Sequence, residues 1–455
     1  MESQEMELSG KRVIVLGLGR SGQAAGVFCC ASGAQVLGTD SRPESALPEA
    51  ASLRQRGLSL VLGGHAGVAF SEADLIVVSP GVPNQPFLDD AERAGVEVIG
   101  ELELACRFAS VPIVAVGGTN GKSTTTTLVE ELLRGSGAKV FAGGNLGVPA
   151  CEAIGQGHDL WVLEVSSFQL ERALSFRPRV SVLLNITEDH LDRYASFADY
   201  ALAKGNAFVG QSSSDLAVIP HADELCRRQA LRGRARVRTF GPGGDYSVIP
   251  SEKGHLGTLL EKDSGETLTL RGLPLHGAHN GLNLAAAVAC ARDLGCDWTS
   301  ISRGLQRFQP LEHRMQRVRE LEGVTFYDDS KGTNVGAVVT AIHGLSEARC
   351  VLIAGGRDKL GSYEPLVEAL RQRGRGLVVL GEAKERIAEA ARGVLPVESA
   401  ENMQQAVKTA FRLAHPGDAV LLSPACSSFD MFSGYKERGE VFSREVLKLT
   451  GGTPR

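Results

Sequence analysis

Apolar runs alternate with stretches of helical period along almost the whole chain, and the alternation recurs in three blocks. The first block opens with Arg12-Val13-Ile14-Val15-Leu16, continues through a strand ending near Asp40, and has a third strand at Asp74 to Ser79. The second opens with Pro112-Ile113-Val114-Ala115-Val116 and adds strands over Leu160 to Val165 and Arg179 to Ile186. The third places strands near Val324 to Asp328, Val351 to Ala354, Leu377 to Leu380 and Ala419 to Ser423. Such alternation predicts parallel sheets covered by helices, because each crossover between parallel strands passes over a sheet face. Between Thr239 and Leu273 the pattern changes. Gly and polar residues interrupt short alternating runs such as Thr267-Leu268-Thr269-Leu270, which predicts an antiparallel appendage on the second block. Boundaries fall near Gly100 and Pro310, giving units 1–100, 101–309 and 310–455. The predicted fold class is α/β with three domains.

Composition agrees with that division. At roughly 150 residues per domain, a chain of 455 residues suits about three. Hydrophobic residues make up 43% and charged residues 22%, the mix of a globular protein. The net charge is -5 with no basic block, which argues against nucleic-acid binding, so anionic ligands must be held by local sites. The start, Met1-Glu2-Ser3-Gln4-Glu5, lacks the basic and apolar regions of a signal peptide, and no apolar segment is long enough to cross a bilayer. The nine cysteines show no C-x-x-C spacing and read as small buried hydrophobes in a reducing cytosol. A cytoplasmic monomer is expected.

Two glycine-rich turns carry candidate chemistry. Gly17-Leu18-Gly19-Arg20-Ser21-Gly22 follows a strand, and Asp40 ends the next one. By itself this is a dinucleotide-binding fingerprint and predicts a Rossmann-like first domain, with an NAD(P)-dependent oxidoreductase as one reading. The second turn is Gly117-Gly118-Thr119-Asn120-Gly121-Lys122-Ser123-Thr124, between the strand ending at Val116 and a helix that stops at Gly135. Glycines let backbone N–H groups approach phosphate oxygens, and the helix N-terminus adds partial positive charge. Lys122 would neutralise the β- and γ-phosphates, and the Ser123 hydroxyl would bind Mg²⁺. The strict phosphate-loop pattern wants glycine where Val116 stands. The context still predicts a central P-loop ATPase-like domain on a parallel sheet.

Downstream of this loop, Glu164 ends an apolar strand and His190 follows another, in Asn185-Ile186-Thr187-Glu188-Asp189-His190. Groups at the carboxyl ends of parallel strands lie at the functional edge of a sheet, so the pair is a plausible Mg²⁺ site. Lys204, in Tyr200-Ala201-Leu202-Ala203-Lys204, reads from sequence alone as a solvent-exposed helix lysine.

The segment Gly118 to Thr124 resembles the ATP loop of the muramyl ligase and folylpolyglutamate synthase superfamily, and further segments match that family in order along nearly the whole chain. The resemblance implies that Lys122, Glu164, His190 and Lys204 are catalytic. It implies two Mg²⁺ ions held by Ser123, Glu164, His190 and a carbamylated Lys204. ATP would be bound by Gly118, Thr119, Asn120, Gly121, Lys122, Ser123 and Thr124. Asn283 of His279-Asn280-Gly281-Leu282-Asn283, near the adenine, Arg314 of Glu312-His313-Arg314 and Asp329 would complete that site. The first domain would hold a UDP-linked muramyl substrate through Gly17, Leu18, Gly19, Arg20, Ser21, Asp40, Ser41, Arg42, Ser79 and Gly81, with Asn145, Ser166 and Gln169 from the second. Asp329-Ser330-Lys331-Gly332-Thr333-Asn334 resembles the members that take D-glutamate, and Leu422 to Asp430 and Tyr435 to Gly439 also match. Lys331, Thr333, Lys359, Ser428 and Tyr435 would bind that amino acid in a Rossmann-like third domain. The implied reaction is ATP-dependent ligation of D-glutamate to UDP-N-acetylmuramoyl-L-alanine in cell-wall synthesis. A non-enzymatic nucleotide-binding module remains the third reading.

Overall fold

The computed structural model describes residues 6–251, 256–270, 272–275 and 277–450; Met1 to Glu5 lie outside them. Among the described residues three sheets are present, one in each block. In the first, five parallel strands run in the order Ser59–Leu62, Gln35–Asp40, Arg12–Leu16, Leu75–Val78, Glu97–Gly100. Chain order reverses beside Arg12–Leu16, so the glycine turn that follows this strand opens into the crevice where such sheets bind ligands.

The second sheet has nine strands. Six are parallel, in the order Arg236–Phe240, Leu216–Pro220, Val180–Leu183, Ile113–Gly117, Leu160–Glu164, Val140–Gly144. The strand Ile113–Gly117 is buried along its whole length, as an apolar run without alternation requires. The expected appendage continues this same sheet. Tyr246–Pro250 joins Arg236–Phe240 through one parallel pair, Phe240 with Tyr246, and antiparallel Leu256–Glu261 and Thr267–Thr269 follow. The third sheet is parallel except at one edge, where Gln316–Leu321 pairs antiparallel with Val324–Asp328.

Two sequence readings are corrected in detail. The expected strand Arg179 to Ile186 covers only Val180–Leu183, because the chain then turns beside the phosphate loop, with the Leu184 N–H on Gly117 O and Asn185 O accepting from the Thr119 N–H. Gly135 does end the helix Lys122–Gly135, but the left-handed residue that reverses the chain is Gly137, at φ +94°. Gly135 is glycine for another reason: a Cβ there would lie 2.1 Å from Ser300 O on the crossing helix Trp298–Arg307.

The cores show how the blocks are joined. One continuous apolar cluster contains Val15, Leu18 and Cys29 of the first block and Ala115, Trp161 and Phe176 of the second. The helices Arg20–Ala31 and Glu101–Arg107 contribute to it, so the first two blocks are fused by buried hydrocarbon. The clusters of the third block, around Leu352 and Leu366 and around Phe326 and Phe442, contain only its own residues. Its contacts with the second block at the phosphate loop are polar. Among the described residues no helix is long and apolar enough to cross a membrane. Seven of the nine cysteines are buried, and all are free thiols.

Candidate active site

The phosphate loop bends back on itself. Lys122 donates through Nζ to Gly118 O at 2.9 Å and Thr119 O at 2.8 Å. Burial lowers its amine from the ordinary range, against the pull of Glu164 and Asp189. Ser123, on the first turn of the helix, donates to Glu164 Oε2 at 2.5 Å and accepts from Arg314 Nη2 at 2.8 Å. Asn145 donates to the other Glu164 oxygen at 2.6 Å. Burial alone would raise the Glu164 carboxyl, but Lys122, Ser123 and Asn145 hold it below its usual value. Asn120 and Asn185 clasp each other through side chain and backbone, fixing the loop to the segment after Val180–Leu183. Asn283 packs against the loop itself: a Cβ on Gly121 would meet Asn283 Oδ1 at 2.4 Å.

Lys204 is not the solvent-exposed lysine its helical setting suggested. It is 4% exposed and donates to Gly118 O at 2.7 Å, with its ammonium 4.7 Å from the Tyr200 ring centre. Burial, with Lys122 nearby, pushes its amine well below the ordinary lysine range. The period of the helix Phe197–Val209 does place Lys204 on the buried face, with Tyr200, Ala201, Ala207 and Phe208, and the phosphate loop, far away in sequence, supplies its partner. His190 sits at φ +56°, its ring 4.7 Å from that of Phe168, and burial lowers its imidazole to about 4, leaving it neutral.

Among the described residues no three His, Cys, Asp or Glu side chains cluster as a metal site. The Ser123 hydroxyl and Glu164 carboxylate are oxygen donors of the kind Mg²⁺ takes. An ammonium at Lys204, donating to Gly118 O, cannot ligate a cation. Lys122, Arg314, Lys331 and Lys359 make the surroundings cationic, which suits a polyphosphate arriving with its metal.

Third-domain residues converge on this edge. Lys331 lies 4.0 Å from the Tyr435 ring centre, and burial followed by Arg314 brings its amine down to about 8. Asp329 accepts from Ser423 Oγ at 2.7 Å, and burial raises it to about 7 despite Arg314. Ser428 is buried, Thr333 half-buried, and Lys359 reaches into the second domain to Asp189 at 2.9 Å. Several residues here were not singled out by sequence reasoning. Asp189 holds both Lys359 and Asn334, and Asn334 also donates to Asn120 Oδ1 at 3.0 Å. Arg438, 2% exposed, ties Ser330 to the Cys426 carbonyl. The signal for Arg438 was available, since it lies in the Tyr435 to Gly439 match; the partners of Asp189 are set only by domain docking.

In the first domain, Asp40 accepts from the Leu18 N–H at 2.7 Å and from the Arg42 backbone and guanidinium. Burial opposes ionisation, yet Arg42 and these N–H groups bring its carboxyl to about 2. Both oxygens are engaged in shaping the turn. Ser79 Oγ donates to Gly17 O at 2.8 Å, and a Cβ on Gly22 would lie 1.9 Å from that carbonyl. Gly19 precedes the helix that begins at Arg20 and contains Ser21, and Ser41 and Gly81 are exposed along the crevice. Ser166 and Gln169 form a reciprocal capping box on the short helix Ser167–Leu170. Arg193 bridges to this crevice, donating to Pro80 O and Val82 O while pairing with Glu171.

Fold and site together define an ATP-dependent ligase built from three α/β domains. The Mur ligase MurD-like N-terminal domain matches residues 11–100, the Mur ligase middle domain residues 116–291, and the Mur ligase glutamate ligase domain residues 313–426. The chain belongs to the Mur ligase family. It is 45% identical over 456 residues to the UDP-N-acetylmuramoylalanine–D-glutamate ligase of Geobacter metallireducens, covering 99% of this chain and 100% of that one. The enzyme of the same name from Trichlorobacter lovleyi is 44% identical, covering 98% and 100%. Among solved structures, the MurF ligase of Thermotoga maritima in complex with ADP shares the fold, with TM-score 0.63 at 21% identity, covering 98% and 97%.

Proposed function

We propose that this ligase joins D-glutamate to UDP-N-acetylmuramoyl-L-alanine, with ATP giving ADP and phosphate, in peptidoglycan synthesis. The observation that carries the reading is the meeting of Lys331 and Lys359 with the phosphate loop. Two ammonium groups from the third domain stand within electrostatic reach of Lys122, which suits an amino acid with two carboxylates. The resemblance to relatives named for this reaction supports it.

A carboxylate is a poor acylating group because oxide is a poor leaving group. The L-alanyl carboxylate attacks the γ-phosphorus of ATP, the bond to the β-phosphate oxygen breaks, and an acyl phosphate forms. The D-glutamate amine then adds to the carbonyl carbon, the tetrahedral intermediate expels phosphate, and the amide loses a proton. Lys122 spreads the charge on the transferring phosphoryl group. Bound Mg²⁺ would supply further charge neutralisation, held by Ser123, Glu164, His190 and Lys204. For Lys204 we assign the carbamate: a buried amine kept below its usual pKa can add through its lone pair to CO₂ and release one N–H proton, and the product is an anion with two oxygens. Asn283, Arg314 and Asp329 complete the nucleotide site. Thr333, Ser428 and Tyr435 complete the glutamate site. The first-domain crevice, with Asn145, Ser166 and Gln169, takes the UDP-linked substrate. We place the enzyme in the cytoplasm, where ATP is made, acting as a monomer.

The test is phosphate release with ATP, Mg²⁺ and UDP-N-acetylmuramoyl-L-alanine across a panel of amino acids. D-glutamate is expected to stimulate release, and L-glutamate, L-lysine and meso-diaminopimelate to do so poorly. Equal use of L-lysine would sink the assignment. Turnover of a folate in place of the muramyl substrate would favour the other branch of the superfamily.

A further inference from the structure

We infer that Asp189 is a positioning residue that latches the third domain closed and sets Lys359 for the incoming amino acid. The inference rests on the reading of Lys359 as a glutamate-binding residue and extends it to a group outside the phosphate, metal and substrate sets above.

The argument begins with how the domains are joined. The first and second share a hydrophobic core, whereas the cores of the third are its own. Docking of the third domain at the phosphate loop therefore depends on polar contacts, and two of them end on one carboxylate. Asp189 Oδ1 accepts from Lys359 Nζ at 2.9 Å and Oδ2 from Asn334 Nδ2 at 3.2 Å. The Asp189 side chain is 7% exposed and that of Lys359 16%, so the pair is largely shielded from water and salt. Asn334 uses the same amide on Asn120 Oδ1, so the carboxylate, the phosphate loop and the third domain interlock at one point.

Lys359 stands on the segment that follows the strand Cys350–Gly355, and its neighbour Leu360 is held at φ +60°. A lysine ammonium has three donors and a flexible stem. Asp189 takes one donor and fixes the stem, leaving the others for a substrate carboxylate. Lys122 faces the same carboxylate electrostatically, and His190 Nε2 lies 3.6 Å from its Oδ2. Losing one partner of a shielded ion pair leaves the other buried and unpaired, which weakens binding strongly.

Two measurements separate this inference from the reading beneath it. The first is small-angle scattering of the full chain with a non-hydrolysable ATP analogue, which asks about closure whatever the amino acid. Wild type is expected to be compact and Asp189→Asn expanded; equal radii of gyration would overturn the latch. The second is a kinetic double-mutant cycle with Lys359→Met. Asp189→Asn is expected to raise the KM for D-glutamate about 30-fold or more, with a smaller rise in the KM for ATP, because Arg314 also reaches the phosphate loop from the third domain. In the KM for D-glutamate the double variant is expected to be no worse than Lys359→Met alone, because Asp189 acts on that substrate through Lys359. Additive losses, or equal rises in all three KM values, would mark a general structural role and overturn the positioning role. Asp189→Glu keeps the charge and is expected to recover part of the KM, which covers the case in which Asp189→Asn does not fold. If wild type released no phosphate in response to D-glutamate, the functional reading would fail while scattering still decided the latch.

Discussion

Arg314, from the third domain, donates a hydrogen bond to the hydroxyl of Ser123 at the head of the phosphate-loop helix, 2.8 Å away. The same hydroxyl donates to Glu164, so one serine joins the loop, the strand-end carboxylate and the third domain's guanidinium. A positive group at this place favours charge that develops on phosphate during transfer.

Arg314→Ala is therefore expected to lower kcat/KM for ATP about 100-fold, the scale of losing one charge-stabilising donor. Arg314→Lys should recover little, because an ammonium cannot reproduce the planar fork. Steady-state phosphate release checks both, and unchanged kinetics with a normal melting temperature would refute the role.

Lys204→Ala is expected to lose most activity while remaining folded, and short carboxylic acids should restore part of it by occupying the vacated position. Lys204→Arg should stay inactive, because a permanent cation cannot bear CO₂. Removing CO₂ and bicarbonate should slow the wild type reversibly. Full activity of Lys204→Ala would overturn the carbamate assignment and leave the ligase assignment standing.

Gly22→Ala tests the first-domain turn. The new methyl would sit 1.9 Å from Gly17 O and 2.8 Å from Ser79 Oγ. Backbone must move, with an overpacking penalty of about 1–3 kcal/mol. Calorimetric titration should show weakened UDP-substrate binding with ATP-analogue affinity retained, since the phosphate loop lies on another sheet. Equal weakening of both ligands would point to global damage instead.

Glu101 predicts a pH dependence of stability. It is fully buried at the start of the helix Glu101–Arg107, its Oε1 accepts from the Cys151 N–H at 2.8 Å, and its Oε2 accepts no hydrogen bond. Burial raises its carboxyl to about 7, against the pull of the Cys151 N–H. Between the ordinary carboxyl range and pH 7 the folded state holds a proton that the unfolded chain has released. This group's contribution to stability therefore falls as pH rises through that window, by about 1.4 kcal/mol per unit, and levels off above it. Glu101→Gln should flatten that part of the profile and gain relative stability at pH 8. Denaturant midpoints from pH 4.5 to 8 would show it, and parallel profiles would refute it.

Much of this molecule was legible in the sequence, for a physical reason. Strands such as Arg12–Leu16, Ile113–Gly117 and Ala419–Leu422 are buried on both faces, and unbroken apolar runs announce that locally. Other strands were not named, among them the apolar Leu216–Pro220 and two without such runs. Val140–Gly144 ends in two glycines, and Arg236–Phe240 carries two arginines. The phosphate loop and the Gly17 turn were also readable, because glycine is demanded by backbone geometry close by in the chain.

Tertiary structure alone decided the rest. Lys204 was read as a surface lysine from its residue type, although it shares the buried face of its helix with Tyr200, Ala201 and Phe208; that a backbone carbonyl, Gly118 O, waits there for its ammonium was decided by the fold. Asp189 was an ordinary loop acid until the third domain brought Lys359 and Asn334 to it across the interface. Asp40 matched a ribose-binding acid by position, yet its oxygens are engaged by Leu18 and Arg42. Charge and hydrogen-bond partners at this site come from residues tens to hundreds of positions apart. Their effect depends on distance and burial, quantities fixed only when the domains meet.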